Sequence, residues 1–161
     1  MKRSPLIVAV ATTALVLGAA PSMASSAKAS PDEEFSLAVR GRWCLQANGN
    51  GWPLDSDDCE YFRAPWQLWR KLGDDMSKMR VQSVHDDACL AEENRGAWIT
   101  ETCSDSTTQQ WKVTTRDVDG KQQVKLQNVA TGDCMLQGDG DCESDPTWLT
   151  VIGAGDPLPA R

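Results

Sequence analysis

The chain has 161 residues, 23 of them acidic and 16 basic, and its formal net charge is −7. A negative field repels phosphate backbones and anionic headgroups, which disfavours nucleic-acid binding and electrostatic attachment to membranes. After Lys2 and Arg3, an apolar run covers 6–20, and small residues near Ala24 and Ala29 suit cleavage. The run is short for a spanning helix of about 20 residues. We therefore predict a signal peptide and short processed segment over 1–29, and no stable membrane insertion.

The remainder, 30–161, has the size of a single domain. Removing Lys2 and Arg3 with the signal leaves 14 basic and 23 acidic residues, a charge of −9. All six cysteines lie in this part, and an even number in an exported chain favours disulfides over metal ligands. We expect a secreted, extracellular protein with no cofactor and no metal.

The cysteines repeat at a fixed interval. Cys44, Cys89 and Cys134 are 45 residues apart, a period that indicates internal repeats. In each copy a valine stands five residues before the first cysteine, and a polar loop leads to a second cysteine and then a tryptophan. The economical pairing is local, and each bond would contribute about 2–3 kcal/mol. The predicted disulfides are Cys44–Cys59, Cys89–Cys103 and Cys134–Cys142.

Each copy reads as short strands separated by turns. In the second copy the strand candidates are 80–84, 89–93, 97–103 and 109–113. Four per copy give about twelve short strands, and "DG" at 119–120 suits a type I′ turn between copies two and three. Because each copy can bury its apolar face only against the others, we predict one closed all-β unit of three repeats.

Three motifs carry a resemblance to a known family. "QLW" at 67–69, "QQW" at 109–111 and "NVATGDCM" at 128–135 resemble the ricin B-type (QxW) β-trefoil lectin domains, over about 35–152. The resemblance implies a β-trefoil in which the motif glutamine braces neighbouring backbone. It also implies that the motif tryptophans, Trp69, Trp111 and Trp148, are core residues. The third copy departs from the pattern, since Pro146 stands where glutamine is expected, so its strand should begin there or be irregular.

Lectins of this family bind sugars in shallow pockets built from carboxylates or amides and an aromatic face. The usual pocket aspartate is replaced by Gln46, Ala91 and Leu136, and the usual stacking aromatic by Asp57, Glu101 and Gly140. We therefore predict one or two non-standard sugar sites. Their candidate residues are Gln46, Asn48, Trp52, Asp55, Asp57, Trp66 and Gln67 in the first copy, and Asn94, Trp98, Glu101 and Gln109 in the second.

Trp52 is the leading candidate, because tryptophan in a loop rich in glycine and aspartate suits sugar stacking or a protein contact. For Trp43, Trp66 and Trp98 the alternative is that they cap the ends of the barrel. His85 is the only histidine, and no motif around a serine suggests a triad, so we predict no enzymatic activity.

The predicted function is carbohydrate binding, with a carbohydrate or glycoprotein as partner. The alternative is a degenerate lectin-fold module that binds a protein partner, as a toxin-delivery-like subunit or an inhibitor does.

Overall fold

The computed structural model describes residues 34–60, 64–94, 96–135, 142, 148–153 and 156. The predicted signal segment and Pro146 lie outside these residues. Within them the chain forms ten strands and two 3₁₀ turns, at Pro65–Gln67 and Thr107–Gln109. The strands are β1 (Glu34–Val39), β2 (Trp43–Gln46), β3 (Asp55–Asp58), β4 (Trp69–Leu72), β5 (Arg80–Ser83), β6 (Ala88–Asn94), β7 (Ala97–Thr102), β8 (Trp111–Val118), β9 (Lys121–Asn128) and β10 (Leu149–Gly153).

Six of the strands form a closed barrel. The hydrogen-bonded order is β5-β4-β1-β10-β9-β8, and every pairing along it is antiparallel. The ring closes where Met79, just before β5, exchanges backbone hydrogen bonds of 2.9 and 2.8 Å with Trp111 at the start of β8. Closure leaves the barrel without an exposed sheet edge.

Among the described residues, two hairpins are attached to this barrel. β2 pairs with β1 and continues into β3, while β6 pairs with β5 and continues into β7. The predicted all-β class, the repeated architecture and the local disulfide pairing are confirmed. The three bonds are Cys44–Cys59, Cys89–Cys103 and Cys134–Cys142.

In the second copy β5, β6 and β7 match the predicted ranges to within one residue at each end, whereas β8 differs at both ends and runs on to Val118. Gln109 lies in a 3₁₀ turn, and β8 begins only at Trp111. The side chain of Ser106 caps that turn by accepting a hydrogen bond from the backbone N–H of Thr108. The estimate of about twelve strands included the segment 136–147, of which only Cys142 is described.

The core lies inside the barrel and beneath the hairpins. Trp69 and Trp111 are fully buried, and they pack with Leu37, Leu90 and Leu149 among other apolar side chains. Trp148 differs, because it is half-buried and is not part of this cluster. The third copy has proline in place of the motif glutamine, so it lacks a side-chain amide at that position.

The two motif glutamines brace the backbone between hairpin and barrel. Gln67 donates from Nε2 to the carbonyl of Asp58 at 3.2 Å and accepts from the N–H of Glu60 at 3.0 Å. Gln109 repeats the arrangement in the second copy, donating to the carbonyl of Thr102 at 3.0 Å. Both side chains are buried, so these hydrogen bonds replace the water that a buried amide would lose.

Candidate functional site

The loop between β2 and β3 carries the most exposed tryptophan of the described residues. Trp52 is 65% exposed, and its backbone N–H donates to the carbonyl of Gly49 at 3.0 Å to close a turn. Gly49 and Gly51 have φ values of 113° and 80°, which side chains rarely adopt. A Cβ on Gly49 would lie 3.6 Å from Cδ1 of Trp52, so the indole lies against this turn.

The same loop is anchored to the second copy. The N–H of Gly51 donates to the carbonyl of Thr100 at 2.6 Å, and the Thr100 hydroxyl donates back to the carbonyl of Gly49 at 2.9 Å. Asn50 adds a side-chain hydrogen bond of 3.0 Å to the hydroxyl of Thr102. These contacts fix the loop on β7, so Trp52 is presented to solvent from a rigid support.

Polar side chains collect at the base of the loop. Gln46 and Asp55 are directly opposite in the β2–β3 ladder and therefore project from the same face. Gln46 donates from Nε2 to Oδ1 of Asn48 at 3.2 Å, and Asn48 donates to the carbonyl of Pro53 at 3.0 Å. These contacts connect the β2–β3 ladder at Gln46 to Pro53, the residue that follows Trp52.

Two carboxylates flank this cluster. Asp57 is opposite Cys44, one step along the same face as Asp55. Asp55 and Asp57 each accept a hydrogen bond of 2.7 Å from the next backbone N–H through one carboxylate oxygen. Both side chains are exposed, so the second oxygen of each can accept from a ligand hydroxyl.

Trp66 forms the neighbouring wall. Its carbonyl accepts from the N–H of Ala47 at 2.8 Å, which holds the 3₁₀ turn beside the base of the loop. The half-buried indole meets the ring of His85 edge-on, with centroids 6.4 Å apart. The backbone of Trp66 therefore supports the base of the loop, while the one aromatic partner of its ring among the described residues is His85.

No family model and no curated protein matches the sequence. Solved structures do match. A designed 3-fold symmetric protein, ThreeFoil, shares 21% identity over 79% of this chain and 95% of its own, with a TM-score of 0.56. The cytolethal distending toxin of Haemophilus ducreyi shares 17% over 82% and 89%, with a TM-score of 0.60. The same toxin from Actinobacillus actinomycetemcomitans shares 16% over 81% and 96%, also with a TM-score of 0.60. The chain is a β-trefoil.

Three of the predicted sugar-site residues are internal parts of this trefoil. Gln67 and Gln109 are buried and engaged with backbone, so they cannot reach a ligand. Trp98 is only 9% exposed, and its ring centroid lies 5.5 Å from that of Trp111. In addition, its carbonyl accepts from the N–H of Leu54 at 2.9 Å, so the first-copy loop covers it.

The remaining second-copy candidates do not form one site. Glu101 is opposite Cys89 near the base of the β6–β7 hairpin, whereas Asn94 is opposite Ala97 at its tip. This difference in register separates them by about 16 Å along the strands. Glu101 is also within hydrogen-bonding distance of Gln109, at 3.3 Å, and so belongs to the bracing arrangement.

The sequence did not indicate Asn50 and Thr100 as contributors to the site. The two glycines beside Asn50 suggested an irregular loop, but no periodicity shows that this loop docks on another copy. Within the described ranges, no group of three or more His, Cys, Asp or Glu side chains is arranged to hold a metal ion. No helix in the described part of the chain is long and apolar enough to cross a membrane.

Proposed function

We propose that this protein is a secreted carbohydrate-binding β-trefoil with one non-standard sugar site on its first copy. The site consists of Trp52, Gln46, Asn48, Asp55 and Asp57, with Trp66 as its border. Trp52 would stack on the apolar C–H face of a sugar ring. The amides and carboxylates would hydrogen-bond adjacent hydroxyls, since together they offer both donors and acceptors.

The observation that supports this proposal most directly is the exposure of Trp52 on an anchored loop. A tryptophan that is 65% exposed leaves a large apolar surface in water. The hydrogen bonds from Gly51 and Thr100 order the loop before any ligand arrives, so little conformational entropy remains to be lost on binding. An exposed tryptophan on an ordered loop is better suited to ligand binding than to packing in the core.

A shallow site of this kind binds weakly on its own, because it covers little of its ligand. A glycan array should therefore display sugars at high density, where several weak contacts act together. We expect the purified protein to bind one sugar class and Trp52→Ala to lose that binding. Trp43→Ala is the matched control, because Trp43 is 38% exposed and lies outside the cluster. Equal loss in both variants would contradict the proposed site.

The second candidate function is binding of a protein partner. It is favoured by Trp43, whose ring lies under the guanidinium of Arg42 with Cζ 4.9 Å from the centroid. Exposed tryptophan and arginine are the residue types most enriched in protein hot spots. Silence across the glycan array, together with a partner whose capture is lost in Trp43→Ala, would replace the carbohydrate proposal with this one.

A further inference from the structure

The outer face of the β8–β9 hairpin is basic, although the whole chain is acidic. In this ladder Thr114 is opposite Lys125, and Arg116 is opposite Gln123. Because side chains alternate between faces, every second residue of each strand shares the outward face. The cations on this face are Lys112, Arg116, Lys121 and Lys125.

These four cations are regularly spaced. Each is a diagonal neighbour of the next in the order Lys112, Lys125, Arg116, Lys121. Diagonal neighbours in an antiparallel ladder are about 7–8 Å apart. The row extends over 112–118 of β8, six residue intervals, which corresponds to about 20 Å.

No acidic side chain of the described strands opposes this row. The other positions on the outward face are Thr114, Val118, Gln123 and Gln127, whereas Asp117 belongs to the inward face. Asp119 lies in the turn at the hairpin tip. The five ion pairs found among the described residues use Arg42, Arg70, Lys71, Lys78 and Arg80, all outside the row.

Trp148 and the backbone of Cys142 order the centre of the row. Nζ of Lys125 donates a hydrogen bond of 3.3 Å to the Cys142 carbonyl. The guanidinium carbon of Arg116 lies 4.0 Å from the Trp148 ring centroid, and Nζ of Lys125 lies 5.8 Å from it. Arg116 also donates from Nε to Gln123 at 2.8 Å, and no hydrogen bond to another described residue engages its Nη atoms. A stacked guanidinium whose Nη groups have no hydrogen-bond partner among the described residues can bind a carboxylate or sulfate in bidentate fashion.

We propose that this face, the basic row, binds an anionic polysaccharide through its sulfate or carboxylate groups. A sheet face about 20 Å long can contact an extended chain that carries charges at intervals. The net charge of −7 opposes any anionic polymer, but most of all duplex DNA, which carries one charge per about 1.7 Å of its axis, so a polysaccharide with more widely spaced charges is favoured. The basic row is separate from the Trp52 cluster and does not depend on the function proposed for that cluster.

Affinity for heparin, measured by calorimetry at about 50 mM salt, tests this proposal. We expect Arg116→Gln/Lys125→Gln to weaken binding at least about tenfold, since it removes the two cations ordered by Trp148. Lys71→Gln/Lys78→Gln is the matched control, because it removes the same charge from residues paired with Asp74 and Asp75. That control should change the affinity less than about twofold. Lys125→Arg should retain the affinity because it preserves the charge, whereas Arg116→Lys should lose part of it because lysine lacks the bidentate guanidinium.

The salt dependence of the affinity for heparin gives a second test. Four cations that release counterions predict a slope of log affinity against log salt of about −3, which the double glutamine variant should reduce by about half. Absence of heparin binding by the wild type would overturn the proposal, as would equal losses in the two double variants. Tighter binding to a short DNA duplex than to heparin would replace the polysaccharide with a nucleic acid. Trp52→Ala should still bind heparin, which separates this outcome from a failure of the sugar site.

Discussion

The indole Nε1 of Trp111 donates a hydrogen bond of 3.1 Å to the backbone carbonyl of Leu90, across the interface between barrel and hairpin. The first copy repeats this relationship, with Trp69 donating to the carbonyl of Leu45 at 3.2 Å. In each copy the acceptor is the residue after the first cysteine. The motif tryptophan therefore ties its own hairpin to the barrel while filling the core.

Trp111→Phe should reduce the free energy of unfolding by about 2–4 kcal/mol. The change removes the indole hydrogen bond and leaves a cavity in a fully buried position. Urea denaturation followed by circular dichroism measures the loss. Trp43→Phe, at an exposed position, serves as the control and should change stability by less than about 0.5 kcal/mol. Similar values for the two variants would contradict the role assigned to Trp111.

Removal of the first disulfide, with Cys44→Ala/Cys59→Ala, should cost about 3 kcal/mol. The bond spans 15 residues, and its loss frees the unfolded chain to explore more conformations. The β2–β3 ladder has only four residue pairs, three of them with an aspartate, so the hairpin depends on this bond as well as on its hydrogen bonds to Gln67 and to β7. Urea denaturation of the variant measures the cost, and a loss below about 1 kcal/mol would show that the barrel alone orders the hairpin.

Thr100→Val should loosen the loop that carries Trp52 without unfolding the protein. Valine keeps the shape of threonine but removes the hydroxyl that donates to Gly49, at a cost of about 1 kcal/mol. Hydrogen exchange should become faster at the amides of Gly51 and Trp52. Thr114→Val, on the exposed face of β8, is the matched control and should leave these amides unchanged. If hydrogen exchange is unchanged in Thr100→Val, the prediction is wrong, and the backbone hydrogen bond from Gly51 to Thr100 is enough to order the loop.

Glu92 is a buried carboxylate between the second and third copies. The residue is 2% exposed, and its two carboxylate oxygens accept hydrogen bonds from the hydroxyl of Thr131 and the N–H of Gly96. Burial raises the pKa of Glu92 above its ordinary value near 4.5, and the neighbouring charge of Asp133 acts in the same direction. The hydrogen bonds from Thr131 and Gly96 oppose this rise in pKa.

A raised pKa means that the folded protein binds this proton more tightly than the unfolded chain does. The resulting stabilisation is present below the unfolded pKa and is lost as the pH rises through the folded pKa. Glu92→Gln should remove this decline and raise stability at neutral pH by about 1 kcal/mol. A second reason for the higher stability is that Oδ2 of Asp133 is buried and has no hydrogen-bond partner among the described residues, and the new amide can donate to it. Urea denaturation at a series of pH values measures both effects, and parallel pH profiles for variant and wild type would contradict them.

Much of the fold could be predicted from local features. The interval of 45 residues between Cys44, Cys89 and Cys134 indicated three copies, and the local disulfide pairing followed from it. These predictions succeeded because a repeat and a short disulfide loop depend on positions close together in the chain. The predicted start of β8 was two residues too early, because the motif "QQW" does not show that Gln109 ends a 3₁₀ turn.

The candidate site could be predicted only in part. Gln46, Asn48, Asp55 and Trp52 share one hairpin and its loop, so their proximity follows from chain order. Trp98 was placed on a strand candidate, but the sequence did not show which of its neighbours in space would cover it. Its burial depends on the first-copy loop that lies over it.

By itself the sequence determined an all-β chain of three disulfide-closed copies and the positions of its motif tryptophans, because covalent spacing and alternation are local properties. Only the tertiary structure decided which tryptophans face water and which lie in the core. It also decided that a chain of net charge −7 presents a basic row. Burial and the grouping of charges depend on which surfaces the barrel brings together, and residues far apart in the chain, such as Arg116 and Trp148, meet only when it closes.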